Sequence, residues 1–307
     1  ISLILILCLL LGACKNGNAS SQNKSETSQD TIKAIKMPAI PQMMTAPEQR
    51  ADFLAKHYWD NVNFADTNYI HHPEVTEQAW ADYCDLLNHV PLETAQQAMR
   101  NVIDRTNVDK KVFTYITDLA DKYLYDPNSP MRNEEFYIPV LEAMIASPVL
   151  NETEKIRPQA RLKLAQKNRI GTKALNFTYT LASGAQGSLY QLKAEYLLLF
   201  INNPGCQACT ETIEGLKNAP IINQLLQEKK LVLLSIYPDE ELDEWKKHLS
   251  EFPNEWINGY DKKFTIKEEQ VYDLKAIPTL YLLDKDKTVL LKDATAPAIE
   301  AYLMQHQ

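Results

Sequence analysis

The apolar positions of this chain keep two different rhythms. Across residues 41–167 they recur three and four apart, which places them on single helix faces. Ala51, Leu54, Ala55, Tyr58, Trp59 and Val62 form one stripe, and Trp80, Tyr83, Cys84 and Leu87 a second. Ala95, Ala98, Met99, Val102 and Ile103 form a third, and Phe113, Ile116, Leu119, Ala120 and Tyr123 a fourth. Phe136, Val140, Leu141, Met144 and Ile145 form a fifth. Polar or proline-containing breaks at 61–68, 89–91, 106–109, 126–130 and 147–148 separate them. Strand-like alternation is absent, so the pattern predicts five or six helices packed as a bundle or array.

From about Gly171 the rhythm changes to short apolar runs separated by amphipathic ones. Strands are predicted at 177–181, 196–201 and 231–236, with 188–192 as a connection. A helix starts just after Cys206 and carries Ile213, Leu216, Ile221, Leu225 and Leu226. Further helices are predicted over 239–249 and 267–275. A hairpin of 279–283 and 289–291 turns across 284–287, and a last helix covers 298–304. Alternating β and α segments imply a central sheet flanked by helices. The expected fold class is an α+β two-domain chain, with an all-α domain over 41–167 followed by an α/β domain over 168–307.

The first fourteen residues are an apolar run that ends in small residues and a cysteine. The run is too short for a comfortable membrane span and reads as a secretory signal, here without the usual Met and basic start. Leu11-Gly12-Ala13-Cys14 resembles a bacterial lipobox. On that resemblance, residues 1–13 are a cleaved signal peptide that takes Cys8 with it, and Cys14 is the lipid anchor. Acyl chains then hold the protein on a membrane without a spanning helix. Lys15 follows, with no early acidic cluster of the kind that resembles a surface-export signal, so a periplasm-facing protein, on the outer membrane, is expected. Residues 14–40 are polar, lack aromatics and read as a flexible tether. Asp30-Thr31-Ile32 resembles a short glycosylation signal, a match of little weight.

Composition narrows the function classes. A net charge of −8 argues against nucleic acid as a partner, and only 8 glycines argue against a glycine-cradled nucleotide. Cys84 sits on an apolar stripe and is expected to be buried and inert. The aromatics of the helical stripes are expected to be core, and His71-His72 before a proline to be a turn. The helical half offers no chemistry.

The chemistry lies in Cys206-Gln207-Ala208-Cys209, between an apolar strand and an amphipathic helix. A helix N-terminus stabilises a thiolate, and the thiolate is the species that attacks disulfides. An inert disulfide is the alternative. A metal site is disfavoured because no second closely spaced ligand pair exists.

The segment around these cysteines is similar to the thioredoxin-like family, in its TlpA/ResA-type, membrane-tethered periplasmic branch. The matching residues are Leu199-Phe200, Pro204-Gly205-Cys206-Gln207-Ala208-Cys209, Ser235-Ile236, Asp239, and Trp245-Lys246-Lys247. Val271-Tyr272-Asp273-Leu274-Lys275-Ala276-Ile277-Pro278-Thr279 resembles the segment bearing the family's cis-proline, and 283–287 its hairpin turn. The helical half resembles an uncharacterised domain that precedes such domains in Bacteroidetes lipoproteins. The resemblance implies that Cys206 attacks and Cys209 resolves, with the redox-active Cys206–Cys209 disulfide as the only cofactor. It implies that Ile277, Pro278 and Thr279 bind substrate backbone. The implied partners are disulfide-containing periplasmic proteins and a thiol electron donor, in reduction or isomerisation. A non-catalytic binding or assembly lipoprotein is the competing expectation. The chain departs from the family pattern at Gly205, where an aromatic is usual, at Ala208, where proline is common, and in lacking a carboxylate within 197–201.

Overall fold

The structure is a computed structural model that describes residues 34–306. The signal peptide, Cys8, Cys14, the 30–32 motif and most of the tether lie outside the described residues.

The helical half runs through α1 (Pro47–His57), α2 (Pro73–Leu87), α3 (Leu92–Arg105), α4 (Lys110–Ala120), α5 (Glu134–Ala146) and α6 (Glu152–Ala165). Local chemistry starts several of them. Asp109 accepts the Lys111 and Val112 N–H groups at the start of α4, and Asn133 accepts Phe136 N–H at α5. Asn151 and Glu154 form a reciprocal capping box on α6. The predicted stripes form one core in which Trp59, Trp80 and Tyr83 pack edge and tilt against one another. Cys84 is buried in the same core. His71 ends a short 3-10 turn, and His72 precedes α2, with Nδ1 3.1 Å from Glu74 Oε1. After α4 the chain makes a wider turn over Asp121–Tyr125.

The second half contains β1 (Thr178–Leu181), β2 (Gln186–Ser188), β3 (Tyr196–Ile201), α7 (Gln207–Lys217), α8 (Pro220–Gln227) and β4 (Leu231–Tyr237). It continues through α9 (Leu242–His248), β5 (Ile257–Tyr260), α10 (Thr265–Glu268), β6 (Thr279–Asp284), β7 (Val289–Lys292) and α11 (Ala296–Gln305). Among the described residues the strands form one sheet ordered β2-β1-β5-β4-β3-β6-β7. β4 runs parallel to both β3 and β5, and β6 lies antiparallel to β3. Alternate residues of β3 serve opposite faces. Leu198 and Phe200 pack under α7, α8 and α11, while Leu197, Leu199 and Ile201 pack with Phe177, Leu189, Ile266 and Tyr272. A strand covered on both faces reads as one continuous apolar run, which β3 does.

The expected fold class is the one observed, with local differences, among them the short strand β2 just before the expected connection. The single helix expected after Cys206 is two, because Pro220 lacks the N–H that would continue α7 and instead opens α8. The helix expected over 267–275 does not form. α10 ends at Glu268, Gln270 turns left-handed at φ 50°, and the chain runs irregularly to β6. Tertiary partners hold that segment instead: Tyr272 Oη donates to Leu175 O at 2.8 Å, and Asn168 Nδ2 to Val271 O at 2.7 Å. Strand β5, Ile257-Asn258-Gly259-Tyr260, was not expected at all. Its glycine is required by packing, since a Cβ there would stand 2.9 Å from the Tyr179 ring.

Candidate active site

The site is made where two strands start and stop beside each other. In the β3–β6 register Ile201 lies opposite Thr279. The loop leaving β3 and the loop entering β6 therefore meet at one end of the sheet, although they are far apart in sequence. Asn202 secures the exit from β3: its N–H donates to Ile236 O at 3.0 Å, and its Nδ2 to Ser235 Oγ at 2.8 Å. It is only 1% exposed, so these bonds replace water for a buried amide.

Gly205 then takes φ 71°, a left-handed conformation that turns the chain into α7. No atom lies within 4 Å of the position of an added Cβ. Backbone conformation, not space, accounts for glycine where the family pattern has an aromatic. Cys206 is the N-cap of α7, and its Sγ accepts the Cys209 N–H at 3.4 Å. A negative charge on that sulfur would meet the free N–H groups and the positive end of the helix dipole.

The two sulfurs have different surroundings. Cys206 is part-exposed, whereas Cys209 is 2% exposed and faces inward from the first turn. Both are free thiols. Burial pushes the Cys209 thiol up to about 12, its hydrogen bond with Cys206 adds to the rise, and the Asn203 backbone partly offsets it. β3 supplies five buried apolar residues and no carboxylate.

Opposite Cys206 stands the loop before β6. The Ile277–Pro278 bond is cis, and Ile277 O lies 3.8 Å from Cys206 Sγ. Ile277 and Pro278 are part-exposed beside the sulfur. Thr279 is buried, and its hydroxyl donates to Ala276 O at 2.6 Å. Its side chain thus shapes the loop from within, while its backbone sits at the strand register with Ile201.

Sequence reasoning did not single out the polar groups that frame the site. Asn203 Nδ2 donates to Asp239 at 3.0 Å, and Lys267 Nζ holds the other oxygen of Asp239 at 2.7 Å. With Pro204, Glu241 and Glu244 they line a cavity of about 350 Å³ beside the cysteine loop. A second cavity of about 450 Å³ opens from Ile277 towards Tyr125 and Leu164 of the helical half. Asp239 was visible as a matching position; nothing in the pattern pointed to Lys267 or Tyr125.

Residues 13–168 match a family model described as a domain of unknown function, DUF5106, and residues 194–289 match one described as thioredoxin-like. A thioredoxin-like protein from Bacteroides caccae is 84% identical over 90% of this chain and 100% of its own, and its crystal structure superposes with a TM-score of 0.88. The C-terminal domain of an uncharacterised protein from Bacteroides fragilis is 69% identical over 45% of this chain and 98% of its own, with a TM-score of 0.44. The thioredoxin domain of a thiol-disulfide oxidoreductase from Bacteroides vulgatus is 19% identical over 45% of this chain and 97% of its own, with a TM-score of 0.41. No curated protein matches the chain.

Proposed function

We propose, from the premise that this chain belongs to the thioredoxin-like family and carries an N-terminal DUF5106 domain, that it is a thiol–disulfide oxidoreductase tethered to a membrane and facing the periplasm. The observation that carries the redox reading is the asymmetry of the cysteine pair. One sulfur caps a helix at the surface, 3.8 Å from a carbonyl of the loop opposite, and the other is buried one turn away as a neutral thiol.

In the reductive direction the Cys206 thiolate attacks one sulfur of a client disulfide. The client S–S bond breaks, a client thiolate leaves, and a mixed disulfide joins Cys206 to the client. Cys209 loses its proton and attacks Cys206 Sγ. The second client thiolate leaves, and the pair closes as a Cys206–Cys209 disulfide. The client has gained two electrons, and an external thiol donor returns them to the pair. Ile277 and Pro278 present their backbone to the polypeptide flanking the client sulfur. No cofactor besides the cysteine pair enters this cycle.

Cys206→Ala is expected to abolish insulin reduction, and Cys209→Ala to accumulate a mixed disulfide with the client. Full activity in Cys206→Ala would overturn the assignment. The tether rests on Leu11-Gly12-Ala13-Cys14. Among the described residues no helix is long and apolar enough to cross a membrane. A Cys14→Ser protein expressed with its leader should leave the detergent phase; its retention there would remove the lipid anchor.

A further inference from the structure

We propose that Glu134, at the start of α5 in the helical domain, is a positioning residue for the loop that carries Ile277 and Pro278. This rests on the redox reading above, and it makes the helical domain a working part of the redox site. Loop 269–278 has no helix or strand of its own to hold it. Most of its supports come from the helical half and the segment that follows it. Lys167 Nζ donates to Gln270 O at 2.6 Å, and Asn168 Nδ2 to Val271 O at 2.7 Å.

The firmest support is a buried charge cluster. Lys275 Nζ lies 2.9 Å from Glu134 Oε1, 3.2 Å from Asp273 and 3.5 Å from Asp293. The other oxygen of Glu134 pairs with Lys292, whose Nζ also donates to Lys167 O at 2.8 Å. The Tyr125 ring covers Lys275 at 5.0 Å. The Glu134 side chain is 12% exposed and that of Lys275 8%, so water screens little of their interaction.

Position is what this pairing supplies. Lys275 stands two residues before Ile277, whose carbonyl faces Cys206 Sγ at 3.8 Å. A short path of direct contacts thus runs from α5 through Lys275 and the loop backbone to the reacting sulfur. Neutralising Glu134 leaves a buried ammonium without one of its carboxylates, an arrangement the loop relieves by shifting. Because this loop holds the client backbone and not the reacting sulfur, its displacement weakens client binding and leaves the chemical step in place.

The test uses the protein without its signal segment and compares wild type with Glu134→Gln. The expected result is a KM for insulin raised on the order of tenfold. kcat, and the rate with the small disulfide DTNB, should stay as in wild type. Amide exchange over residues 271–277 should quicken about tenfold while β3 and α7 exchange as before. If Glu134→Gln does not fold, Glu134→Asp keeps the charge that Lys275 and Lys292 share but shortens its reach, and carries the same expectations in smaller measure. Wild-type KM and wild-type exchange in a folded variant overturn the proposal. Exchange is independent of turnover, so an inactive wild-type enzyme would defeat the redox reading while leaving the role of Glu134 to be decided by the loop.

Discussion

Selective alkylation of the reduced protein tests the asymmetry on which the redox reading depends. Burial and the hydrogen bond with Cys206 push the Cys209 thiol up to about 12, against an ordinary 9.0. At pH 8 about one Cys209 sulfur in ten thousand is then ionised, compared with about one in ten for an ordinary thiol. Because only the thiolate is nucleophilic, Cys209 should react with iodoacetamide roughly a thousandfold more slowly than an unfolded-peptide thiol. Cys84 should also resist, since burial pushes its thiol up too. A pH 8 pulse followed by peptide mass spectrometry should find label on Cys206. Labelling of Cys209 should climb about tenfold per pH unit towards 12. In Cys206→Ala the smaller cause disappears and burial remains, so Cys209 should speed up yet stay slower than a free peptide thiol. Below about 9 the thiol is protonated in both states; above it the unfolded chain ionises first, so the contribution of Cys209 to stability falls as pH rises towards 12. Labelling of Cys209 at the rate of a free peptide thiol at pH 8, or a rate that levels off below pH 10, would refute the reasoning.

Two substitutions probe the turn before α7 and the start of α8. Gly205→Ala meets no atom within 4 Å but must hold φ 71°, so it should cost about 1 kcal/mol and lower Tm by about 2–4 °C; an unchanged melting curve would show that the loop does not need the left-handed turn. Glu300 accepts the Ile221 and Ile222 N–H groups at 2.7 and 3.0 Å where α8 begins. Glu300→Ala should therefore cost about 1–2 kcal/mol by denaturant titration, and Glu300→Gln less. A Glu300→Gln protein as stable as wild type would exclude a charge contribution at that helix end.

Legibility differed from element to element, for physical reasons. The stripes around Trp59, Trp80, Met99 and Phe113 announced helices because each needs one buried face. β3 and β4 announced themselves by continuous apolar runs, since both of their faces are covered. β5 stayed hidden: Asn258 and Gly259 disfavour strands, and Gly259 is present only because the Tyr179 ring passes over it. Residues 267–275 carry helix-forming side chains, yet bonds to Leu175, Asn168 and Glu134 outweigh local preference. Glu134 gave no signal, because an acidic residue in the first turn of a helix is ordinary in itself.

Local periodicity and the paired cysteines by themselves determined the two-domain class and the sulfur chemistry to look for, and the resemblance to a known family added the loop expected to face it. Such features need only a few neighbouring residues to declare them. The depth of Cys209, the left-handed turn at Gly205 and the hold of α5 on the loop before Pro278 were decided by the tertiary structure alone. Burial and the pairing of distant charges are properties of the packed chain, and no stretch of sequence carries them until its partners arrive.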